Sequence, residues 1–180
     1  MNTKVASWIS KIMPLVCGIT LTVVVSAADV RELAWDDLIP PDWDPYAELE
    51  MLLSQNPDGF DEGSDEEARI FEEFTSAMAS APVVGDLDGQ QVRLPGYVVP
   101  LDFEGSSVSE FLLVPYFGAC MHSPPPPANQ IVYIKSGAGY SPNGLFDVVW
   151  VTGTISTKLH LNEVGDAGYT LDATVIEPYE

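Results

Sequence analysis

A change in hydrophobic period at Val83 is the feature that most constrains the fold of this chain. Apolar residues recur at helical spacing before Val83 and alternate at strand spacing after it. The alternation predicts five strands, at residues 91–99, 110–116, 130–134, 147–155 and 168–176. Five strands rich in Val, Tyr and Phe within about 95 residues predict a small five-stranded barrel of the OB-like type, or a sandwich.

Residues 29–81 are predicted to form an acidic helical extension in front of a barrel-like domain at residues 82–180. Pro45–Leu53 has a short helical pattern, and Ser64–Ala79 has a longer one. Ser64 is a typical helix N-cap, and Glu67 stands three residues later, as in a capping box. The predicted fold class is therefore mainly β with a helical N-terminal arm.

The first 28 residues have the layout of a secretory signal peptide. Two lysines come first, an apolar run spans residues 12–25, and small residues end the segment at Ala28. The run of about 14 residues is shorter than the ~20 that a membrane-spanning helix needs. Val16 stands directly before Cys17, where lipid attachment requires a small residue, so we expect no lipid anchor there. Cleavage predicts a periplasmic protein, and a retained N-terminal anchor is the alternative.

The chain is strongly acidic, with 27 Asp and Glu against 7 Lys and Arg and a net charge of -20. Cleavage after Ala28 would leave five basic residues, so the net charge would become 5 - 27 = -22. Nucleic acid and anionic lipid both bind through cationic groups, so the charge argues against either as a partner. Two interpretations of the charge are open: solubility of an exported protein, and attraction of cations.

Residues 120–127 are the strongest candidate for a functional site. Cys120 and His122 are separated by one residue, so an extended backbone would point both side chains to the same side. A thiolate and an imidazole are ligands that suit zinc, with copper as the second choice. The four prolines at 124–127 would hold this pair on a stiff polyproline II connector. Loss of Cys17 with the signal would leave Cys120 as the only thiol, which excludes an internal disulfide.

Two ligands are too few for tight zinc binding, which takes three or four. His160 is the other histidine of the chain and the candidate third ligand. Cys120 has three interpretations: a metal ligand, a small buried core residue, or a nucleophile with His122 as its base. The sequence lacks Gly-x-Ser-x-Gly, Cys-x-x-Cys, His-Glu-x-x-His and a phosphate-binding glycine loop. A non-enzymatic role is therefore favoured.

A long central stretch runs from Glu110 to His122 and continues from Pro124 to Tyr133. It is accompanied by Trp35–Pro40, Leu94–Leu101, Val149–Gly153 and Tyr169. Together these segments resemble an uncharacterised bacterial envelope family, domain of unknown function 3299. The resemblance covers most of the chain after residue 28. Cys120 and His122 fall inside its central motif, whereas His160 lies outside it.

The resemblance implies an exported or lipid-anchored periplasmic protein, with some members encoded beside ABC-type transport genes, including zinc-linked ones. It implies no activity. The leading hypothesis is a periplasmic accessory protein that binds a divalent metal, zinc in preference to copper, through Cys120 and His122, and that is linked to an ABC-type metal transporter. The alternative is a metal-free envelope module that binds a partner protein, with Cys120 in its core.

Overall fold

The computed structural model describes residues 29–44, 46–55, 61–101, 107–119, 126–142, 144 and 147–179, apart from the side chains of residues 48, 52 and 55. The predicted signal peptide, with Cys17, lies outside the described residues, and so do Cys120 and His122. His160 and all five predicted strands lie within them. No helix in these described ranges is long and apolar enough to cross a bilayer.

The arm contains a 3-10 turn and two α-helices: the turn at Trp35–Leu38, α1 at Ala47–Gln55 and α2 at Asp65–Ala79. Helix α2 begins behind Ser64, whose hydroxyl accepts a hydrogen bond from the Glu67 N–H at 3.2 Å. The Glu67 carboxylate accepts from the N–H of Gly63 at 2.6 Å. In a standard capping box, the Glu67 carboxylate would accept from the backbone N–H of Ser64. Here it accepts from the N–H of the preceding residue, Gly63.

The strands are β1 (Arg31–Glu32), β2 (Gln91–Pro100), β3 (Val108–Val114), β4 (Val132–Tyr140), β5 (Val148–Ser156) and β6 (Tyr169–Pro178). Their order in the sheet is β1-β2-β3-β4-β6-β5, and β5 also pairs with β2. The β2–β5 pairing closes the five strands from β2 through β6 into a barrel. Strands β4 and β6 are parallel, whereas the other barrel pairs are antiparallel. The prediction of a small OB-like barrel is confirmed.

Inward-facing side chains fill the barrel. Those that are fully buried include Val92, Leu94, Val98, Phe111, Leu113, Val132, Ile134, Val149, Val151, Ile155, Tyr169 and Leu171. Their spacing of two residues along each strand reflects the alternation seen in the sequence. Strand β3 departs from this pattern, because all four residues from Phe111 to Val114 are buried. The barrel is therefore covered on the outside of β3 as well as filled on the inside.

The first part of the arm packs into the barrel. Leu38 is fully buried in the same cluster as the barrel interior. The indole N–H of Trp35 donates to the Pro95 carbonyl at 2.7 Å. The buried Tyr169 hydroxyl donates to the Leu38 carbonyl at 2.8 Å and accepts from the Val84 N–H at 2.6 Å. These bonds anchor the first part of the arm on the barrel and also hold Val84, three residues after the end of the arm.

The bounds of β3 and β4 differ most from their predictions: β3 has the predicted length but lies two residues earlier, and β4 is longer. Strand β3 ends at Val114, because Pro115 has no N–H to donate to the ladder. Strand β4 runs on to Tyr140, which pairs with Val108, although the prediction ended this strand at residue 134. Glycines at 137 and 139 weaken the strand pattern there, since glycine is depleted in strands.

Candidate metal-binding segment

The candidate segment lies in the connection between β3 and β4. Its Cys120 and His122 are outside the described residues, so their role as ligands stays a prediction. Ala119, directly before the segment, and Pro126, near its end, are both buried. The chain therefore enters and leaves the segment at buried positions.

A tight turn leads the chain from β3 to Ala119. The Ala119 N–H donates to the Tyr116 carbonyl at 3.3 Å. Between them, Gly118 has a φ of 79°, which L side chains rarely adopt. The glycine thus allows the chain to reverse and bring Ala119, which is only 3% exposed, against the barrel.

Two amides fix the chain after the segment, where a 3-10 turn spans Ala128–Gln130. The Asn129 side-chain amide donates to the Pro82 carbonyl at 2.9 Å. The Gln130 side-chain amide donates to the Trp35 carbonyl, also at 2.9 Å. The exit of the segment is therefore bonded to Trp35, before the helices of the arm, and to Pro82, directly after the arm.

A second apolar cluster covers the outside of the barrel. Its buried members are Val99, Leu112, Val114, Ala119, Ile131, Tyr133 and Ala167. Ala119 comes from the β3–β4 connection and Ala167 from the β5–β6 connection, so both connections fold onto this face. OB-like barrels bind oligonucleotides and oligosaccharides on the face of their second and third strands, which here are β3 and β4. In this protein, parts of the chain's own connections cover that face.

His160 lies on this covered face. Its ring stacks on the Tyr133 ring, with centroids 3.5 Å apart and an interplanar angle of 7°. The backbone N–H and C=O of His160 both bond to Ala167, each at 2.9 Å. Because Tyr133, Ala167 and Ala119 belong to one cluster, His160 and the residue before Cys120 border the same apolar patch.

The Tyr133 side chain, on which the His160 ring stacks, is uncharged. Burial, followed by a hydrogen bond and the charge of Glu110, raises the pKa of Tyr133 to about 12. The Lys135 ammonium lies 5.6 Å from the centroid of the Tyr133 ring, and Lys135 pairs with Glu110 across the ladder. The phenol therefore remains protonated at neutral pH.

Within the part of the chain that the structure describes, no three His, Cys, Asp or Glu side chains are grouped so that they could hold a metal ion. A three-ligand site that includes His160 would therefore need donors from elsewhere in the chain. Cys120 and His122 are such donors by residue type.

Tyr133 and the covered face are not among the features predicted from the sequence. A signal for the face is present in the run Phe111–Val114, which is continuously apolar. Such a run is typical of a strand that is buried on both sides. The stacking of His160 on Tyr133 has no comparable local signal, because 27 positions separate the two residues.

The fold and this face define a small acidic OB-like barrel with a helical arm. The chain belongs to the family described as "Protein of unknown function (DUF3299)", which matches residues 35–178 and confirms the resemblance inferred from the sequence. It is similar to a DUF3299 family protein from Pseudomonas aeruginosa PAO1, whose crystal structure was determined at 2.45 Å resolution. The two are 38% identical with a TM-score of 0.63, and the match covers 84% of this chain and 97% of the other. No match was found among curated proteins.

Proposed function

We propose that this protein is an exported, non-enzymatic accessory protein of the periplasm that binds zinc through Cys120, His122 and His160. In this proposal it passes the metal to, or senses it for, an ABC-type transporter. The observation that supports the site most directly is the stacking of His160 on Tyr133, in contact with the cluster that contains Ala119. Ala119 immediately precedes Cys120 in the chain.

Chain connectivity supports convergence of the three donors. Three residues span at most ~11 Å, so His122 as well as Cys120 is within a short reach of Ala119. One thiolate and two imidazoles form a donor set that suits zinc, with bonds of ~2.0–2.3 Å. Three protein ligands leave a fourth position open, which favours exchange of the metal over a permanent structural role.

The charge and the N-terminal sequence support the periplasmic part of the proposal. Residues 1–28 have the pattern of a signal peptide, and their removal would leave a net charge of 5 - 27 = -22. A negative surface raises the local concentration of cations. Association with a transporter rests on the resemblance to the family, because some family members are encoded beside ABC-type transport genes.

Elemental analysis of the purified protein tests the metal site. We expect about one zinc per chain, and loss of that zinc in Cys120→Ala and in His122→Ala. His160→Ala should lower the affinity for zinc, whereas Glu163→Gln, an exposed change on the same connection, should leave it unchanged. Binding should weaken as the pH falls, because protons compete with the metal for its ligands. Unchanged zinc content in both the Cys120 and the His122 variants would contradict the proposal.

Thiol labelling distinguishes the metal-free alternative, in which Cys120 fills the core. A zinc-bound thiolate should become reactive towards a thiol reagent when a chelator removes the metal from the folded protein. A core thiol should stay unreactive with or without chelator until the protein unfolds. Protection that is insensitive to chelator would therefore favour the metal-free interaction module.

A further inference from the structure

An apolar trough runs between the two helices of the arm. Its walls come from Leu49 and Leu53 of α1 and from Ile70, Phe71, Phe74 and Met78 of α2. The larger of its two cavities is also lined by residues from both ends of the β3–β4 connection, among them Tyr116 and Pro126. Two cavities form it, of about 490 Å³ and about 280 Å³. Both are lined by Leu49 and Phe74, so the trough is continuous.

The trough is open to solvent although its walls are apolar. Phe71 is 52% exposed and Leu53 is 46% exposed. The lining on α2 extends from Glu67 to Met78, which corresponds to ~16 Å or about three helical turns. A contiguous apolar depression of this kind, with acidic residues beside it, is typical of a protein interaction site.

The charge of the arm that carries the trough selects the partner. Residues 29–81 hold 16 acidic and two basic residues, a net charge of 2 - 16 = -14. Both basic residues already pair with carboxylates: Arg69 with Glu66 at 2.7 Å and Arg31 with Asp37 at 3.6 Å. Glu67 lines the trough itself. The acidic arm therefore attracts cationic groups, while the trough accepts apolar ones.

We propose that the trough binds a cationic amphipathic segment of a partner protein, with an apolar stripe of about three helical turns flanked by Lys or Arg. An amphipathic helix that lays its apolar face in a groove is a recurring mode of peptide recognition. A second copy of this chain carries the same negative charge as the arm, and an anionic membrane is also negatively charged. The acidic arm would therefore repel both of them. The trough reaches Pro126 and Pro127 of the candidate segment, but its two helices carry none of the three proposed zinc ligands, so the two proposals can fail independently.

Fluorescence anisotropy with synthetic peptides tests the trough. The probe is a labelled peptide of about 18 residues with Leu at positions i, i+3, i+4 and i+7 and Lys elsewhere. One control peptide has the same composition in an order that gives no apolar face, and another has Glu in place of Lys. We expect the first peptide alone to bind, with an affinity that falls as salt is added.

Substitutions at exposed positions locate the binding without disturbing the core. Phe71→Ser should weaken binding of the cationic peptide by about 10-fold or more. Glu67→Gln should weaken it by about two- to threefold, and the new amide oxygen can still accept the hydrogen bond from Gly63. Leu161→Ser is the matched control, because Leu161 is 67% exposed but lies on the β5–β6 connection.

Three results would overturn the proposal. The cationic peptide could fail to bind, it could bind no better than the reordered or the acidic control peptide, or it could bind the Phe71→Ser variant as well as the unaltered protein. Sedimentation of the protein alone provides a further check, since a dimer that Phe71→Ser dissociates would identify a second copy as the occupant. His160→Ala should bind the peptide normally, which separates this result from the outcome for zinc.

Discussion

Replacement of Tyr169 by Phe tests how the arm is held on the barrel. The phenol ring is fully buried, and its hydroxyl is bonded to the Leu38 carbonyl and the Val84 N–H, at 2.8 and 2.6 Å. Phe retains the ring and its packing but leaves both backbone groups without this partner. A buried polar group that loses its hydrogen bond costs ~1–3 kcal/mol. Leu38 is fully buried, whereas Val84 is only partly buried, so we expect a total loss of about 2–4 kcal/mol in the free energy of unfolding.

Urea unfolding followed by tryptophan fluorescence measures this loss. With a urea dependence of about 2 kcal/mol/M, the midpoint should fall by about 1–2 M. Trp35 donates a hydrogen bond to β2 and therefore reports on the contact of the arm with the barrel. Tyr179→Phe is the control, because Tyr179 is 52% exposed and loss of its hydroxyl should change stability by no more than about 0.5 kcal/mol. A Tyr169→Phe protein that unfolds within about 0.5 kcal/mol of the unaltered protein would refute the argument.

The remaining predictions concern pH, a close strand contact and a helix cap. The folded-state pKa of Tyr133 is about 12 against 10 for a free tyrosine, so its neutral form stabilises the protein below pH 10. That contribution, about 2 kcal/mol, should be lost as the pH rises through 12, and thermal melts of Tyr133→Phe should lack this loss. Gly153→Ala should destabilise by about 3 kcal/mol or more in urea, because the new methyl group would meet the Asp172 carbonyl oxygen and lie 2.9 Å from the Ala173 Cα. Ser64→Ala should reduce the helical circular-dichroism signal and stability by about 1 kcal/mol, and Ser64→Asp should preserve both.

Local patterns made much of the fold predictable. The five barrel strands and α2 were found from spacing alone, since alternation and helical period depend on residues only a few positions apart. Ser64 was found as an N-cap because its partner, the Glu67 N–H, lies three residues away. The prediction for β4 ended too early, because two glycines lower the strand signal of its second half. This half nevertheless pairs with β3, where Tyr140 lies opposite Val108.

The candidate site was predictable in part. The residue types at 120 and 122 indicated a thiolate and an imidazole, and His160 was selected only because it is the other histidine of the chain. The stacking of His160 on Tyr133 depends on the β5–β6 connection reaching back over β4. The apolar trough likewise depends on how α1 lies against α2, so its shape could not be inferred from either helix alone.

By itself, the sequence determined the composition of the parts: five strand segments, an acidic arm with a capped helix, and a Cys-x-His motif followed by prolines. Tertiary structure decided how they combine. Closure of β2 on β5, parallel pairing of β4 with β6, and the covering of the outer barrel face join residues that are far apart in the chain. Alternation tells which side of a strand is buried, but it does not specify which distant segment covers that side. The packing that brings His160 to the cluster containing Ala119 is therefore a property of the folded chain, and it directs the search for function to that face.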